Sequence, residues 1–505
     1  MDPSTITSTN TTVCQGAVQV SRDEFATCVP MVDTTASTWN NDLSFTFTPE
    51  SSLENASTYK VRVLTAVKDS KGNALAAAYT STNGFTTLAK MTKISAGKQH
   101  VCATFPDDTA KCWGANNYGQ LGQGNKNRYG TDLAPIPTLP AISFDSGEFP
   151  LNTIAGLEHT CAYLNSGKIK CWGRSSSGAL GVNIGHYGDF STETISALAP
   201  LTLKSGNAIQ LALNNQNACV LNDEGSIFCW GETGEDLGHD NLYGYMNVPN
   251  NGSPLFNEID PINFENNKTA KQITKGSGHS CAVMNNNQIK CWGSNSDGQL
   301  GNNDNQNWGR GGIYDWYMYQ LPDVDLGTGY SVKQVSAKES FTCAILNQLK
   351  DGNNVVCWGS NNNGQLGQGD TLTRGDSLAD NKRTDLIPAV KLNRPAIRIS
   401  AGTNHVCAIL DNNCLKCWGY GWYGRLGYGD YQSKGVLPGE IEALSCVNLG
   451  DGLHAVSVEA GDQYTCAVLN DSNIKCWGSN FNGQLGQNHT TTIKDPSTIP
   501  PIAFE

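Results

Sequence analysis

A single phrase recurs seven times in this 505-residue chain, and it limits the fold more than any other feature. Each copy has a first cysteine, a short gap, the triplet Cys-Trp-Gly and a turn that ends in Leu-Gly. Successive triplets are separated by 58 to 66 residues, and they begin at Cys112, Cys171, Cys229, Cys291, Cys357, Cys417 and Cys476. A repeat of this length is one supersecondary unit, which buries its apolar face only by stacking on its neighbours.

The second copy shows how one unit folds. Residues 159–164 alternate as a strand, and residues 165–167, Asn-Ser-Gly, form a hairpin turn. A strand near Ile154 enters before them, residues 168–173 return, and an outer strand follows the turn that ends at Gly181. We therefore expect four-stranded antiparallel blades that pack around a common axis.

These copies, with the phrase Ser-Ala-Gly-x-x-His before several of them, resemble the regulator of chromosome condensation repeats. The resemblance covers roughly residues 90–505 and implies an all-β, seven-bladed β-propeller. The third copy departs most, because Asn217 replaces the histidine and its final turn is one residue shorter. The fifth copy has a four-residue insertion between Cys343 and Cys357.

The ends of the repeat region predict how the ring closes. Residues 499–505 match residues 139–145, the outer strand after the first phrase, and the strand that should follow them is missing. A spare strand lies near residues 92–97. We expect residues 89–505 to form the propeller, with this N-terminal strand completing the last blade and removing open sheet edges.

Residues 1–88 lack the repeated phrase and have a different sequence pattern. Leu43-Ser-Phe-Thr-Phe and Tyr59-Lys-Val-Arg-Val alternate with period two, as strands do. Met1-Asp-Pro-Ser-Thr-Ile and Lys68-Asp-Ser-Lys-Gly-Asn-Ala-Leu are similar to bacterial Ig-like modules, in which Met-Asp-Pro follows the first strands. The resemblance implies an Ig-like β-sandwich segment that is incomplete at its N-terminus, with a signal peptide upstream; the alternative is a genuine start of a shorter sandwich.

The cysteines can form a disulfide framework. In six of the seven copies two cysteines stand ten residues apart and flank a hairpin, and facing positions on antiparallel strands have the Cα separation that disulfides accept. The expected pairs are Cys102–Cys112, Cys161–Cys171, Cys219–Cys229, Cys281–Cys291, Cys343–Cys357, Cys407–Cys417 and Cys466–Cys476, with Cys14–Cys28 and Cys414–Cys446 using the remaining four. The alternative is that these are buried, reduced cysteines. Disulfides would indicate an extracellular, cell-surface or periplasmic protein.

Composition and charge exclude several kinds of partner. The formal net charge is -12 and the sequence pI about 5.2, with no run of Lys and Arg, so we expect no nucleic-acid partner. No apolar stretch approaches the roughly 20 residues of a membrane helix, so we expect no membrane insertion within this chain.

No catalytic motif or metal site emerges from the residues. Histidines recur at one repeat position, but other copies place Asn217, Phe341 and Tyr464 there, which predicts packing or a local hydrogen bond rather than a metal ring. The Cys-x-x-Cys at Cys414 stands alone. We expect no cofactor, no metal and no enzymatic activity, while a site assembled from distant loops stays open as an alternative.

The loops after the Leu-Gly turns vary most between copies and share a face with the Ala-Gly-x-x-His turns, so we expect a protein partner on this face. Aromatic and arginine side chains dominate interface hot spots. The candidates are Trp308, Arg310, Tyr314, Trp316, Tyr317, Tyr319, Tyr243, Tyr245, Tyr420, Trp422 and Tyr423. The alternative is that these rings fold back to cover their own loops.

Three functional hypotheses follow. The first is an exported or cell-surface, non-catalytic propeller that binds a protein, in an adhesive or inhibitory role. The second, implied by the family resemblance, is guanine-nucleotide exchange on a small GTPase. The third is a glycan-binding or glycan-active propeller, since the same aromatic surface can stack on sugar rings.

Overall fold

The computed structural model describes residues 7, 12–31, 37–39, 44–46, 49, 58–69, 71–86, 92–175, 178–182, 186–214, 216–232, 234–238, 259–265, 268–309, 317–377, 379 and 382–504. The chain forms two compact units, Met1–Met91 and Thr92–Glu505. Both are built from antiparallel strands, and the longest helix among the described residues is the four-residue α1 (Glu440–Ala443). No helix in these ranges is long and apolar enough to cross a membrane.

The first unit contains two small sheets. One has the order β1-β4-β5, with β6 also pairing β4, and the other joins β2 to β3. The strands are β1 (Val18–Ser21), β2 (Ser37–Trp39), β3 (Ser44–Thr46), β4 (Thr58–Val63), β5 (Tyr79–Thr80) and β6 (Phe85–Thr86). The two segments whose alternation predicts strands correspond to β3 and β4.

The second unit contains seven three-stranded antiparallel sheets, one for each copy of the phrase. The first four are β7 (Lys93–Ala96), β8 (His100–Thr104), β9 (Ala110–Gly114); β10 (Pro150–Ala155), β11 (His159–Leu164), β12 (Ile169–Gly173); β13 (Ala208–Leu213), β14 (Asn217–Asn222), β15 (Ile227–Gly231); and β16 (Ala270–Lys275), β17 (His279–Met284), β18 (Ile289–Gly293). The last three are β19 (Val332–Lys338), β20 (Phe341–Lys350), β21 (Asn353–Gly359); β22 (Ala396–Ala401), β23 (His405–Leu410), β24 (Leu415–Gly419); and β25 (Ala455–Ala460), β26 (Tyr464–Leu469), β27 (Ile474–Gly478).

The seven sheets form a closed propeller. The first strand of each sheet lies beside the first strand of the next, and β25 of the last blade lies beside β7 of the first. These seven strands therefore line a central channel, as the repeat predicts.

The outer edge of each blade differs from the expected fourth strand. A segment is present, but in the first blade it makes one backbone hydrogen bond to the sheet, from Ile142 N to Ala110 O at 2.8 Å. In this blade Pro137 and Pro140 lack N–H donors, which limits the backbone hydrogen bonds the segment can make. Buried lysines hold the segment instead: in the second blade Lys170 Nζ donates to Ile195 O at 2.9 Å.

Ring closure also differs from the expectation. The N-terminal strand β7 pairs with β8 in the first blade, so it does not complete the last blade. Residues 499–504 instead attach to their own blade, where Ile502 N donates to Ile474 O. Closure comes from side chains: Trp113 Nε1 of the first blade donates to Gln484 O of the seventh at 3.0 Å, and the Tyr464 hydroxyl donates to His100 O at 2.8 Å.

The same tryptophan contact joins every neighbouring pair of blades. Each blade tryptophan is completely buried, and its indole N–H donates to the carbonyl just before Leu-Gly in the preceding blade, at 3.0 to 3.1 Å. The following glycine is required by this contact: a Cβ at Gly122 would lie 2.9 Å from Trp172 Nε1, and its φ is +71°. The donor–acceptor pairs are Trp113–Gln484, Trp172–Gln120, Trp230–Ala179, Trp292–Asp236, Trp358–Gln299, Trp418–Gln365 and Trp477–Arg425.

All 18 cysteines are joined in the nine pairs expected from the sequence. Seven of the pairs connect directly facing residues of the second and third strands of a blade, such as Cys102 and Cys112, and these sulfurs are buried. The Cys414–Cys446 bridge ties the β23–β24 turn to the outer segment of the same blade, and Cys446 is exposed.

Three of the four recurring histidines connect neighbouring blades by hydrogen bonds: His100, His279 and His405 each bond a threonine of the next blade, whereas Ala218 stands at that position for His159. His405 Nε2 lies 2.9 Å from Thr465 Oγ1 of the next blade, and that hydroxyl donates its one hydrogen to Arg425 O. The histidine must therefore donate through Nε2–H, which makes it the neutral Nε2-protonated tautomer. The fifth and sixth blades use an apolar pair at the same positions, Phe341 and Val406, so this repeat position serves packing or a local hydrogen bond, as predicted.

Burial keeps these imidazoles neutral. It lowers the pKa of His100 to about 3 and the pKa of His159 and His279 to about 4, and it places the pKa of His405 well below its usual value. All four are buried, so an added proton has no solvent to stabilise it.

We predict that Thr465→Val destabilises the propeller by about 1–3 kcal/mol, because it leaves the buried Nε2–H of His405 without an acceptor. The double variant His405→Phe/Thr465→Val copies the pair Phe341/Val406 and should recover part of that loss. Urea unfolding with intact disulfides measures both; a double variant no more stable than Thr465→Val would contradict the account.

We also predict that acidification destabilises the propeller. The folded pKa of each histidine lies below its unfolded value near 6.5, so the free energy of unfolding falls as pH drops from 6.5 towards 4, where unfolded imidazoles take up protons that the folded state excludes. Each histidine can contribute up to about 1.4 kcal/mol per pH unit. Unfolding at a series of pH values should give a shallower slope for the double variant, which lacks His405; an unchanged slope would argue against buried neutral histidines.

Candidate binding face

The variable loops and the turns after the inner strands lie at the same end of every blade. In the first blade Gly114, the last residue of β9, pairs with His100, the first residue of β8. The chain leaving β9 is tied to the turn before β8 by a hydrogen bond from Ala115 N to Gln99 O at 2.9 Å. Corresponding bonds exist in all seven blades. We call this end of the propeller the loop face.

In four blades a buried asparagine fixes the start of the variable loop. In the first blade Asn116 Nδ2 donates to Asn125 O at 2.7 Å, and Asn116 Oδ1 accepts from Leu121 N at 3.0 Å. Each of these asparagines is completely buried, so the loop start is a rigid part of the scaffold. The equivalents of Asn116 are Asn295, Asn361 and Asn480.

The sixth blade departs from this pattern. Gly421 stands where the asparagine would be, and a Cβ at that position would lie 2.0 Å from Gln432 O, so the chain takes a different path. Tyr423 adopts a left-handed φ of +62°, which costs a non-glycine residue about 1–2 kcal/mol. The result is that the Trp422 side chain points into solvent, with 54% of its surface exposed.

An aromatic cluster forms where the sixth and seventh blades meet on the loop face. Tyr423 packs edge-to-face against Phe481 with ring centroids 5.5 Å apart, and Trp422 lies 6.3 Å from Tyr423. Phe481 is 57% exposed. We call Trp422, Tyr423 and Phe481 the aromatic cluster. Beside it, the buried Arg425 guanidinium lies 4.9 Å from the Tyr420 ring centroid, which fixes that tyrosine to the scaffold.

The structure separates the predicted candidates into different environments. Tyr420, Trp422 and Tyr423 lie together.

Trp308 is half-buried against the cores of neighbouring blades and pairs with Gly293 through its backbone, so it is a scaffold residue. Tyr317 and Tyr319 stack with centroids 5.5 Å apart, and Tyr319 is exposed. The remaining candidates lie outside the described residues: Arg310, Tyr314, Trp316, Tyr243 and Tyr245.

Phe481 was not among the sequence candidates, although a signal for it exists. It directly follows Asn480, at the repeat position that Trp422 occupies in the sixth copy. Aligning the copies residue by residue shows two bulky aromatic residues at this position in consecutive blades. Only the packing of the two blades shows that the rings meet.

The channel opens on the loop face into a cavity of about 320 Å³. Its wall is formed by the turns that follow the inner strands of the seven blades. The lining residues are Lys98, Gly156, Leu157, Asn214, Lys275, Gly276, Ser277, Lys338, Glu339, Thr403 and Asp462. Lys275 is already paired with buried Asp236, at 3.0 Å.

Charged groups inside the channel have altered proton affinities. Burial raises the pKa of Glu459 to about 7, and nearby Lys338 opposes that rise. Burial also raises the pKa of Glu339 and lowers the pKa of Lys338. These groups sit where neighbouring blades displace water, so their charged forms are poorly solvated. No cluster of metal-ligating side chains occurs in the part of the chain that the structure describes.

We predict that Glu459→Gln raises the thermal unfolding midpoint at pH 8 and leaves it nearly unchanged at pH 5. The stability linked to a raised carboxyl pKa is fully present below the unfolded value near 4.5 and is lost as pH rises through about 7. The exposed Glu442→Gln is the matched control and should show no such difference. A midpoint change that is equal at both pH values would contradict the altered pKa.

Comparison with known family models supports the repeat assignment. The regulator of chromosome condensation (RCC1) repeat matches residues 91–120, 155–179, 270–299, 396–425 and 455–484, and a second model of the same repeat matches residues 353–409 and 416–468. The bacterial Ig-like domain model matches residues 1–87.

The chain is similar to several characterised proteins. The ultraviolet-B receptor UVR8 of Arabidopsis thaliana is 26% identical over 398 residues, which cover 79% of this chain and 67% of UVR8. The E3 ubiquitin-protein ligase HERC2 of Homo sapiens is 25% identical over 393 residues, 77% of this chain but only 7% of HERC2. The guanine nucleotide exchange factor SRM1 of Saccharomyces cerevisiae is 23% identical over 389 residues, 70% of this chain and 74% of SRM1.

A solved structure supports the propeller fold. Prp20p from Saccharomyces cerevisiae, described with its binding to Gsp1p and histones, superposes with a TM-score of 0.55 and 19% identity. The alignment covers 75% of this chain and 82% of that chain. At this identity the similarity shows the fold alone.

Proposed function

Since the chain belongs to the regulator of chromosome condensation repeat family, with a bacterial Ig-like match before the propeller, we propose that it is an exported or cell-surface module that binds a protein without catalysing a reaction. The propeller is the recognition domain, and the loop face carries the contact. The Ig-like segment acts as a spacer. Adhesion and inhibition of a partner are both compatible with this arrangement.

The observation that carries the proposal is the aromatic cluster on the loop face. Three rings from two blades meet at the surface, held by a backbone conformation that costs free energy at Tyr423. Strained, exposed aromatic residues on a rigid scaffold are typical of binding sites, because large rings bury much area at a low entropic cost. The buried Arg425 supports the cluster from below: Nε donates to Trp422 O at 3.0 Å.

The disulfides support an exported location. Nine bridges use every cysteine of the chain. Proteins with such a framework fold and persist in oxidising compartments, whereas cytosolic thiols are kept reduced. The net charge of -12 favours a partner with neutral or basic contact residues over nucleic acid.

A second candidate function comes from the similarity to SRM1. Guanine-nucleotide exchange on a small GTPase also uses a protein contact on a propeller. It requires function in a reducing compartment, which a full set of disulfides does not favour. A glycan partner is the third, because exposed rings such as Trp422 can stack on sugars.

Site-directed photocrosslinking tests the proposal. A benzoyl-phenylalanine placed at Trp422 or Phe481 should crosslink to a protein of the secreted or cell-envelope fraction of the producing cells. The same probe at Asn412, an exposed position in the β23–β24 turn at the opposite end of the sixth blade, is the matched control.

We predict that Trp422→Ala/Phe481→Ala weakens the crosslinked partner's binding at least about tenfold, as for an interface hot spot, with little change in stability because both rings are exposed. Binding of the isolated partner and a thermal melt measure the two effects. Equal crosslinking from Asn412 and Trp422 would contradict the loop-face contact. Crosslinking only to polysaccharide would favour the glycan hypothesis, and only to a cytosolic GTPase the exchange hypothesis.

A further inference from the structure

The turn after each inner strand contains a position where side chains are nearly always excluded. Five of the seven blades place glycine there: Gly97, Gly156, Gly276, Gly402 and Gly461. At Gly402 a Cβ would lie 2.5 Å from Gly461 O of the next blade and 2.4 Å from the His405 ring. Close contact between blades therefore demands glycine, and the two exceptions, Asn214 and Lys338, call for a separate explanation.

Asn214 is explained by its hydrogen bonds. Its Nδ2 donates to Ser277 O at 3.0 Å and to Asp236 Oδ2 at 3.2 Å. Its Oδ1 accepts from Gln216 N and Asn217 N. The side chain fills its hydrogen-bonding capacity within the scaffold, so it is a structural replacement for the glycine.

Lys338 has no comparable role. Its ammonium makes no hydrogen bond and no ion pair with any described residue, although it lines the cavity at the channel mouth. The carboxylates of Glu339, Glu459 and Asp462 act on it electrostatically without a direct contact. A half-buried ammonium with all three donors open can bind a ligand that enters the cavity.

Asp462 presents the opposite charge on the same wall. Its backbone carbonyl accepts from Arg425 Nη1 at 2.9 Å, which fixes the residue in place. Its carboxylate has no hydrogen bond or ion pair within the described ranges, and it lines the same cavity as Lys338. The two groups form no ion pair with each other, although both line the same cavity, and Arg425 is the other cation that interacts with Asp462.

The ligand must satisfy both groups. A simple anion at Lys338 would be repelled by the Asp462 and Glu339 carboxylates, and a simple cation at Asp462 would be repelled by Lys338. A molecule that carries both charges meets neither objection. The cavity of about 320 Å³ is at the small end of the range for ligand sites, which fits a metabolite rather than a peptide.

We propose that the mouth of the channel binds a free α-amino acid, with the ligand's carboxylate on Lys338 and its ammonium on Asp462. The main-chain group lies in the cavity, and the amino-acid side chain points outward to solvent. This site uses other side chains than the aromatic cluster, although Arg425 donates to a backbone carbonyl of each, and it does not depend on the protein-binding proposal. It gives the propeller a second, small-molecule function.

Calorimetric titration of the purified chain at pH 7 tests the site with L-alanine as the probe. Two derivatives separate the contacts: N-acetyl-L-alanine lacks the ammonium and L-alanine methyl ester lacks the carboxylate. We expect saturable binding of one L-alanine per chain and at least about tenfold weaker binding of either derivative. No binding of L-alanine, or equal binding of the N-acetyl derivative, would overturn the proposal.

Variants assign the two charges. Lys338→Met and Asp462→Asn should each weaken L-alanine binding about ten- to hundredfold, the loss typical of one charge-assisted hydrogen bond. Lys333→Met on the same strand and Asp451→Asn before β25 are exposed matched controls and should bind as the unmodified chain does. A thermal melt confirms that each variant is folded. Equal losses in variants and controls would contradict the assigned contacts.

Discussion

The hydrogen bond between each blade's tryptophan and the preceding blade is the contact on which the propeller depends. Sheets within a blade are held by their own backbone ladders, but a three-stranded sheet exposes two apolar faces and is not stable alone. The buried indole fills the space between two blades, and its N–H pairs with the carbonyl before Leu-Gly. Because that carbonyl belongs to the turn from which each variable loop departs, the contact also sets the position of the loop face.

Disulfides stabilise each blade internally, whereas non-covalent contacts join the blades to one another. The blade disulfides join strands two and three of one sheet and do not cross between blades. Contacts between blades are non-covalent: the tryptophans, the histidine–threonine pairs and amides such as Gln272, which bridges β16 to Val335. Reduction should loosen individual hairpins, whereas acidification, which protonates unfolded histidines, weakens the linkage between blades.

The sequence predicted the parts of this structure that repeat. Seven copies of one phrase specify the number of blades, and the ten-residue spacing of cysteines across a hairpin specifies their pairing. The expected fourth strand of each blade was wrong: the outer segment is present but makes only isolated backbone hydrogen bonds to the sheet, such as Ile142 N to Ala110 O. The expectation that β7 completes the last blade was wrong, because side chains such as Trp113 and Tyr464 close the ring without exchanging a strand.

Features that break the repeat were harder to predict. Trp422 and Phe481 are far apart in sequence, and their meeting depends on how two blades pack. Trp308 looks like a surface anchor in the sequence, yet its backbone pairing with Gly293 places it against the core. In the sequence Lys338 only stands out as a lysine at a repeat position where five copies have glycine. The structure adds that it lines the cavity at the channel mouth. In each case the repeat alignment identifies an unusual residue, but only the packing of the blades shows what that residue contacts.

A count of free thiols in the native protein would show whether the propeller is stapled by disulfides, as an exported protein requires. The chain should be isolated from its native compartment under conditions that block thiol exchange, denatured, alkylated without reduction and weighed intact. We expect no alkylated cysteine before reduction and 18 after it. About 18 alkylated cysteines before reduction would contradict export and would favour a function in a reducing compartment.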